Sequence, residues 1–487
     1  MMKLRRSKQS LTHQWFNTGE IGQLLPIGLI PVLPGDVVGG QTNLLTRVTP
    51  LAAPVFHRVD VEVRHVYASN RILWNDNDGT DWEEFITGGE DGMNADTVPT
   101  IANTATAGDL LDKFCLPRVA SVNINALPVR MYNFIWNEMF RDQDLQTTKR
   151  LLTDVTVAKV NWAGDYLTNA RPFSSKGPAV SIPVGTSAPI KTAAAVSGGN
   201  PSIYTTDDNT QRILSSGGAN VGLGSVDASS QDMYADLNAA TGADPIAFRR
   251  AWGIQRFMEH SAEYGSRYPE KMRALGSRYK GLMERPQVIG GGRSTMNFSE
   301  VLQTANDASD RAYGVGDMYG HGIDAQRTNK YAFRVDEHGY IMTLMFVRPK
   351  AMYQNGIPRE WLRTDREDFH DPYLEDIGMQ EVWLNEIYAD SANTKANVFG
   401  YAPRYDEYRG QLSCIGGDFR STLDHWHLAR KFATAPTLNS AFKEMDGDDT
   451  EMKRIFNEQS NDSLWFAANN SVVVHRNISK RANTRLI

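Results

Sequence analysis

Cysteine is scarce in this sequence. Cys115 and Cys414 are the only two among 487 residues, they stand far apart, and neither has a neighbour at metal-ligand spacing. Disulfide scaffolds are much richer in cysteine, so this usage fits a reducing cytosol better. We therefore expect the fold to depend on side-chain packing rather than on cross-links.

Long hydrophobic runs are also missing. The most apolar early stretch, residues 21–38, is interrupted by Pro26, Pro31 and Pro34, whereas a membrane-spanning helix needs about 20 unbroken apolar residues. Residues 1–10 are basic like the start of a signal peptide, but the polar stretch LTHQWFNTGE follows instead of an apolar run. The sequence predicts no membrane span and no export signal.

The usual catalytic and cofactor motifs do not occur. There is no phosphate-binding Walker loop, no HExxH zinc helix and no GxSxG nucleophile turn. The run Gly290, Gly291 and Gly292 lacks the spacing that would cradle a phosphate, so it is interpreted as a loop. These absences favour a protein that is not an enzyme and that uses no cofactor.

Two candidate metal sites are weak. His425 and His427 stand two apart in DHWH and would face the same way on a strand, but no third ligand is identifiable. A contact within the fold or between subunits is favoured over a metal pair. The acidic stretch 75–84 resembles a calcium loop, yet its spacing puts Trp74 and Phe85 where carboxylates belong. A solvated turn is favoured there, a looser calcium site stays open, and no metal is predicted.

The composition is that of a folded protein. Hydrophobic residues make up 41% and charged residues 22% of the chain, which argues against wholesale disorder. The formal net charge of −6 is modest for 487 residues, so the chain as a whole is neither a polycation for nucleic acid nor an acidic tail. Any preference for a partner must come from local patches.

Alternating patterns predict a mainly β fold. Residues 47–74 are interpreted as strands, because valines alternate with charged residues over 59–64 as in a half-buried strand. Residues 331–335 and 340–347 flank the turn-rich residues 336–339 and are predicted to form an antiparallel hairpin.

Two helices are predicted. The first runs from Pro128 to about Phe140, with apolar side chains on one face at helical spacing and proline in its first turn. The second starts at Asp244 and Pro245, an N-cap residue followed by proline, and ends at Gly265.

Residues 171 to about 240 form a low-charge segment rich in Gly, Ser, Ala, Thr and Pro. A segment of this composition buries little surface of its own. Because it lies between two well-patterned regions, we interpret it as a long surface insertion rather than a tail.

Both ends of the chain are basic and contain no acidic residue. They are an N-terminal arm, residues 1–18, and a C-terminal segment, residues 463–487. Basic arms neutralise phosphates regardless of base sequence, whereas the alternative interpretation is a pair of frayed, solvated ends. In residues 401–409, YAPRYDEYR, stacking on unpaired bases is conceivable, although packing or a subunit contact is favoured. The candidate nucleic-acid-binding residues are Lys3, Arg5, Arg6, Lys8, Arg476, Lys480, Arg481 and Arg485.

Six longer motifs resemble the major capsid protein of the Microviridae, in particular the gokushovirus-type members. RMYNFIWNEMFRDQDLQ at 130–146 resembles the family's most recognisable helix and the turn after it. The resemblance extends from about residue 19 to the C terminus, and six motifs in the family's order are far more specific than one. The other five are RPQVIGGGRS at 285–294, EHGYIMTLMFVRPKAMYQNGIPREW at 337–361, VWLNEIY at 382–388, FGYAPRYDEYR at 399–409 and LDHWHLARKF at 423–432.

The resemblance implies a mainly β fold, an eight-stranded antiparallel jelly roll of the viral capsid type with long loop insertions that carry several helices. It implies one such domain over residues 1–487 and self-assembly into a T=1 icosahedral shell around a circular single-stranded DNA genome. Residues 171 to about 240 would then form a protrusion at the three-fold axis and contribute to host attachment.

The resemblance also implies partners and a location. The partners are other copies of the chain, the packaged single-stranded DNA, a bacterial surface receptor, and internal scaffolding, DNA pilot and small DNA-binding phage proteins. The implied location is the virion, with assembly in the cytoplasm of the bacterial host.

Two other functions are consistent with a β-sandwich. Jelly rolls also host enzymes that act on polysaccharides, for which a pair of carboxylates suffices, and acidic residues are plentiful here. A surface adhesin or lectin is the second alternative, with the low-charge insertion as its binding element. Such a protein should ordinarily be exported, and no export signal is visible.

Overall fold

The computed structural model describes most of the chain. The chain divides into two compact units, of which the first comprises Met1–Ser174 with Arg278–Ile487 and the second is the continuous stretch Ser175–Ser277. The acidic stretch 75–81 lies outside the described residues. Those residues are 6–74, 82–87, 97–104, 106–177, 190–192, 202–204, 211–216, 221–224, 233–235, 245–264, 284–302, 304, 318–476 and 478.

Most described elements are strands. They are β1 Ser7–Ser10, β2 His13–Gly19, β3 Leu25–Val32, β4 Val37–Val48, β5 Val59–Ser69, β6 Thr100–Ala102, β7 Asn123–Asn125, β8 Ile190–Thr192, β9 Ser202–Tyr204, β10 Gln211–Ser216, β11 Val221–Gly224, β12 Met233–Ala235, β13 Gln287–Thr295, β14 Asn297–Leu302, β15 Met318–Arg327, β16 Tyr331–Arg334, β17 Gly339–Pro349, β18 Met379–Trp383, β19 Val398–Pro403 and β20 Leu464–Arg476. The prediction of a mainly β fold with few helices is confirmed.

The described helices are mostly short. The α-helices are α1 Asn70–Trp74, α2 Trp82–Thr87, α3 Leu110–Lys113, α4 Leu127–Ile135, α5 Pro245–Tyr264, α6 Pro372–Glu375, α7 Ser440–Lys443 and α8 Thr450–Lys453. Single 3-10 turns occur at Arg359–Trp361, Arg366–Asp368, Leu384–Glu386, Asp406–Tyr408, Gly417–Arg420 and Asp424–Trp426. None of these described helices is both long and apolar enough to cross a membrane.

The larger sheet of the first unit, sheet A, has seven antiparallel strands. Its main path is β1-β20-β4-β15-β14, with β2 also paired to β20 and β16 also paired to β4. Buried and more exposed residues alternate along β2 and β20, as expected when a sheet packs one face on the core and leaves the other in solvent. Sheet A is therefore a one-sided sheet.

The second sheet of this unit, sheet B, has the order β13-β5-β17-β3. One face of its central strands packs against sheet A, where Val61 and Met345 share a buried cluster with Leu44 and Phe466. The opposite face packs against α1 and α4, so that β5 and β17 are buried along almost their whole length. Sheet B is the middle layer of three.

The prediction of a half-buried strand at 59–64 is wrong, because β5 has no solvent face. Asp60 and Glu62 are both buried. Arg293 donates a hydrogen bond to Asp60 at 2.5 Å, and Arg348 donates one to Glu62 at 2.5 Å. Burial by itself would raise the pKa of each carboxyl, but the arginines outweigh it and hold both pKa values below the ordinary value.

The predicted hairpin around residues 336–339 is also wrong. β16 pairs with β4 in sheet A, whereas β17 pairs with β5 and β3 in sheet B. The short connection thus carries the chain from one sheet to the other, and the strands on either side of it do not pair with each other.

The glycine run is part of a strand and not a loop. Gly290, Gly291 and Gly292 lie within β13 and pair with β5. A Cβ atom at Gly291 would collide with the carbonyl oxygen of Val63 on β5. Glycine is therefore needed at this position because the backbones of the two strands approach each other closely.

Both predicted helices are confirmed. α4 has proline in its first turn and continues as a π-helix over Trp136–Phe140, and α5 covers Pro245–Tyr264. On α4 the buried Tyr132 hydroxyl donates to the carbonyl of Leu24 at 2.7 Å and accepts from the backbone N–H of Ala158 at 2.9 Å. These bonds fasten α4 to the chain that enters β3.

A chain of buried polar groups connects the two sheets. On sheet B, the two ring nitrogens of His65 lie 3.0 Å from the hydroxyl of Thr343 and 3.3 Å from that of Thr328. The Thr328 hydroxyl accepts from the backbone N–H of Thr42, whose own hydroxyl donates to Asn470 on β20 at 2.6 Å. Because every member has a partner, this network specifies how the sheets align.

The described part of the second unit comprises two small sheets and one long helix. Three antiparallel strands have the order β11-β10-β9, β8 pairs with β12, and α5 follows them in the chain. Much of the low-charge segment 171–240 lies outside the described residues. The limits of the predicted insertion, its exposure and the single-domain assignment of residues 1–487 therefore stay predictions.

Candidate nucleic-acid interface and subunit contact

The structure brings the two basic ends of the chain together. β1 pairs antiparallel with the last residues of β20, so that Lys8 lies opposite His475. Both side chains are exposed, as is that of Arg6 immediately before β1. The candidate residues that lie outside the described part of the chain are Lys3, Arg5, Lys480, Arg481 and Arg485.

Arg476, at the end of β20, has a different environment. Its side chain is buried, its Nη2 atom lies 2.9 Å from the carboxylate of Asp36, and it donates to the carbonyl oxygen of Pro31 at 3.1 Å. This ion pair ties the end of β20 to the turn between β3 and β4. A guanidinium held in this way has little surface left for a phosphate.

The solvent side of sheet A is basic except at its edge strand β14, which carries the exposed Glu300. No Asp or Glu occupies an outward position on β1, β2, β4, β15, β16 or β20. The one acidic residue on these strands, Asp324 of β15, is buried and accepts a hydrogen bond from Ser294. We call this surface the outer face, meaning the side of sheet A that points away from the core of the subunit. It is defined by the outward residues Lys8, Ser10, Gln14, Phe16, Thr18, Val37, Gly39, Gln41, Asn43, Leu45, Arg47, His321, Ile323, Ala325, Arg327, Ala332, Arg334, Trp465, Ala467, Asn469, Ser471, Val473 and His475.

The strand register places the cations of the outer face at both ends of the sheet. Lys8, His475, Val37 and Arg334 form one row across four strands. Arg334 lies 3.9 Å from the exposed carboxylate of Asp336, the one carboxylate within ion-pair distance of the outer-face cations among the described residues.

Two further arginines occupy the other half of the outer face. Arg327 lies opposite Asn43 and donates to the side-chain oxygen of Gln41 at 3.0 Å, and Arg47 lies opposite Trp465. The sequence did not single out these arginines, because they stand in separate strands between neutral residues. Once the strands are known, these arginines can be identified because they occupy alternate positions, which point away from the core.

The DHWH segment is not a strand, so the assumption behind the metal pair is wrong. Asp424–Trp426 forms a 3-10 turn, and His427 follows it. The imidazole Nε2 of His427 lies 2.8 Å from the carbonyl of Phe419, and burial lowers the pKa of this histidine. Within the described residues no group of three or more His, Cys, Asp or Glu side chains is arranged to hold a metal ion.

Residues 401–409 are largely used in packing. Tyr405 is buried, its hydroxyl donates to the carbonyl of Phe369 at 3.0 Å, and it accepts from the backbone N–H of Asp371 at 3.2 Å. The guanidinium of Arg363 lies over the ring of Tyr408, 4.3 Å from its centroid. These contacts fasten the loop between β17 and β18 to the segment that follows β19.

The same loops expose large apolar side chains. Tyr373 is 89% exposed and Trp361 75% exposed, whereas aromatic side chains usually bury most of their surface. Tyr373 lies in α6, whose N-cap residue, Asp371, is bonded to Tyr405, so these side chains project from an ordered base. We call this group the aromatic loop cluster and define it as Trp361, Phe369, Tyr373, Ile377 and Tyr408.

Comparison with known proteins identifies the class to which this architecture belongs. A family model described as Capsid protein (F protein) matches residues 1–482. The class is therefore that of viral capsid proteins, which are structural and not enzymes. The chain belongs to the F/VP1 capsid protein family of the Microviridae, the phages with single-stranded DNA, and is a component of the virion shell.

Three relatives support this assignment. The chain is 32% identical to capsid protein VP1 of Bdellovibrio phage phiMH2K over 480 residues, which cover 90% of this chain and 88% of that protein. It is 28% identical to capsid protein VP1 of Chlamydia phage 1, with 90% and 89% covered. It is 27% identical to capsid protein VP1 of Spiroplasma virus 4, with 91% and 88% covered. The predicted resemblance is confirmed.

Proposed function

We propose that copies of this chain assemble into a T=1 icosahedral shell that encloses a circular single-stranded DNA genome. Family membership supports self-assembly, and the aromatic loop cluster is the observation that carries the proposal for this particular chain. A closed shell needs the same apolar patches to be buried on every copy. Solvent-exposed tyrosine and tryptophan on an ordered base are suited to that role, because these residues dominate the binding energy of protein interfaces.

We also propose that the two sheets are an eight-stranded jelly roll. The strand orders β2-β20-β4-β15 in sheet A and β3-β17-β5-β13 in sheet B support this assignment. Successive strands β2, β3, β4 and β5 alternate between the sheets, and β20 returns to lie between β2 and β4, as in two interlocked Greek keys. The remaining strands and helices are then additions to this framework.

Further roles follow from the family and from composition. Residues 171 to about 240 would form a protrusion at the three-fold axis and contribute to attachment to a receptor on the bacterial host, which the low charge of this segment supports. Internal scaffolding, DNA pilot and small DNA-binding phage proteins would be partners during assembly in the host cytoplasm. Arg6 and Lys8, with the basic residues beyond the described part of the chain, would contact packaged DNA.

Replacing the two most exposed aromatic residues of the aromatic loop cluster tests the assembly role. In the variant Trp361→Ser with Tyr373→Ser, we expect the yield of shells to fall at least about tenfold, because one interface hot spot contributes roughly 2 kcal/mol or more. The measurement is sedimentation of particles from cells that make the complete set of phage proteins. The thermal unfolding temperature of the subunit should hardly change, since both side chains are largely in solvent.

Conservative replacements provide the matched control for this experiment. Trp361→Phe with Tyr373→Phe keeps an aromatic ring at both positions and should give shells in nearly normal yield. A normal yield for the serine variant would refute the assignment of the aromatic loop cluster to a subunit contact. Loss of shells from both variants would also refute it, since the ring itself would then not be the important feature.

A further inference from the structure

The outer face of sheet A exposes aromatic rings as well as cations. Phe16 on β2 is 69% exposed and Trp465 on the neighbouring β20 is 46% exposed. Phe16 lies opposite Ala467, two residues along β20 from Trp465, so the two side chains are diagonal neighbours about 7–8 Å apart at their bases. Leu45 of β4, on the other side of Ala467, is also exposed. The rings therefore form one apolar site.

Small residues occupy several positions around the rings. The row that contains Phe16 continues across Ala467 and Leu45 to Ala325, and Gly39, Ser471 and Ala332 occupy outward positions towards the basic row. A planar group could lie over these small residues beside the rings.

Two arginines lie near this aromatic site, and a lysine lies further along the same face. Arg47 is directly opposite Trp465, and Arg327 lies in the row next to Phe16, opposite Asn43. Lys8 is ten residues of β20 away from the level of Trp465, a distance of about 33 Å at the rise of a β-strand. Among the described residues no carboxylate lies within ion-pair distance of these three cations. Their charge is therefore available to an external anion.

We propose that the outer face is a binding platform for the packaged single-stranded DNA, on which bases stack against Phe16 and Trp465 while Arg47, Arg327 and Lys8 contact phosphates. Unpaired bases stack on aromatic side chains irrespective of base identity, and a positively charged surface follows the backbone. A duplex cannot stack in this way, because its bases already stack on one another. The inference rests on the proposed function, in which this genome fills the shell, and it names the surface that would receive it.

A second copy of the chain fits the outer face less well. Subunit contacts place charges of opposite sign against each other, and an interface built from this face would need a partner surface to supply several carboxylates at once. The aromatic loop cluster is a separate surface that already provides apolar area for contacts between copies. A polyanion supplies the missing negative charge without any such requirement, which is why the charge pattern favours nucleic acid.

Binding of an oligothymidylate of about 20 nucleotides to the purified full-length chain, followed by fluorescence anisotropy, tests the stacking residues. In Phe16→Ala with Trp465→Ala, we expect the affinity to fall at least about tenfold. Phe16→Tyr with Trp465→Phe should bind almost normally. The matched control is Trp361→Ala with Tyr373→Ala, which removes exposed rings from the aromatic loop cluster and should leave the affinity unchanged. Circular dichroism and thermal unfolding of each variant establish that it is folded.

The salt dependence of the same reaction tests the cations. Arg47→Gln with Arg327→Gln should reduce the slope of log affinity against log salt by about 1.4, which is about 0.7 for each lost phosphate contact on a single strand. Lys149→Gln with Lys350→Gln removes two exposed cations elsewhere and should leave both slope and affinity close to those of the wild-type chain.

Two outcomes would overturn the inference. They are normal DNA affinity in the alanine variant and equal affinity of the wild-type chain for single-stranded and duplex DNA. If the alanine variant binds DNA normally and also forms no shells, the outer face is a subunit contact instead. Each of these leaves shell formation by the wild-type chain intact. Failure of the wild-type chain to form DNA-containing shells with its phage's other proteins would instead refute the proposed function.

Discussion

Replacing Glu386 by alanine is expected to lower the free energy of unfolding by about 3 kcal/mol. Glu386 and Arg359 form an ion pair at 2.8 Å in which the side chains are only 1% and 8% exposed. The same carboxylate oxygen accepts from the backbone N–H of Trp383 at 2.9 Å, and the guanidinium lies over the Trp383 ring, 4.0 Å from its centroid. Loss of the carboxylate would remove one of the groups that offset the free-energy cost of burying the Arg359 guanidinium. Urea unfolding of the purified subunit measures the change.

Two controls separate this effect from the general loss of a surface ion pair. Glu375→Ala removes one partner of the half-exposed pair with Arg409, at 3.0 Å, and should change the free energy of unfolding by less than about 1 kcal/mol. Arg359→Met with Glu386→Leu removes both charges of this pair, leaves Glu407 paired with Arg363, and should recover much of the lost stability. An alanine variant at Glu386 as stable as the wild-type chain would contradict the prediction.

This buried pair has a consequence for assembly. Arg359 begins the 3-10 turn that ends at Trp361, and its guanidinium also donates to the backbone carbonyl of Glu381 on β18. It therefore connects the loop that carries Trp361 to the hairpin of β18 and β19. Exposed aromatic side chains bind a partner tightly only if they are already ordered, because ordering them at the interface would cost free energy.

The sequence predicts elements well where one physical signal dominates. The helix at 128–140 has both helical spacing and a proline in the first turn. It is found at this place, and its last part is a π-helix. The half-buried assignment for 59–64 failed for a tertiary reason. Alternation of valine with charged residues indicates a solvent face only if no third layer covers it, and here Arg293 and Arg348 neutralise the buried carboxylates from other strands.

Local signals also fail where the partner strand decides the outcome. A short turn between two β segments predicts a hairpin, but β16 and β17 pair with strands of different sheets that come from elsewhere in the chain. The outer face could not be predicted for the same reason. Phe16 and Trp465 are about 450 residues apart in sequence, and only the pairing of β2 with β20 makes them neighbours.

The subunit is expected to lose stability when the pH falls from about 6.5 to 4.5, before most of its carboxylates are protonated. His65 and His57 are both buried, and desolvation lowers the pKa of each to about 4 from an ordinary value of 6.5. In the unfolded chain both rings bind a proton near pH 6.5, whereas in the folded chain they stay neutral to about pH 4. Protons therefore favour unfolding in this window, and stability rises with pH across it.

The size of the effect follows from the shifts. A difference of about 2.5 pKa units corresponds to about 3 kcal/mol for each histidine at pH 4, with somewhat less lost by pH 4.5. Asp60 and Glu62 have lowered pKa values, so most of their contribution to stability is lost at lower pH. Burial raises the pKa of Glu20, Asp324 and Glu386, so these carboxyls take up protons more readily in the folded chain and offset part of the histidine effect. Free energies of unfolding measured in urea at several pH values between 7 and 4.5 give the slope.

Glutamine variants identify the groups responsible for that slope. His65→Gln can still hydrogen-bond to Thr343 and Thr328 but cannot titrate, so the slope between pH 6.5 and 4.5 should decrease by about one proton, and by about two when His57→Gln is added. His475→Gln, at an exposed position, is the matched control for the substitution itself. An unchanged slope in the double variant would mean that neither ring is held neutral in the folded subunit. The bonds from His65 to the two threonines would then not protect a neutral imidazole between the sheets.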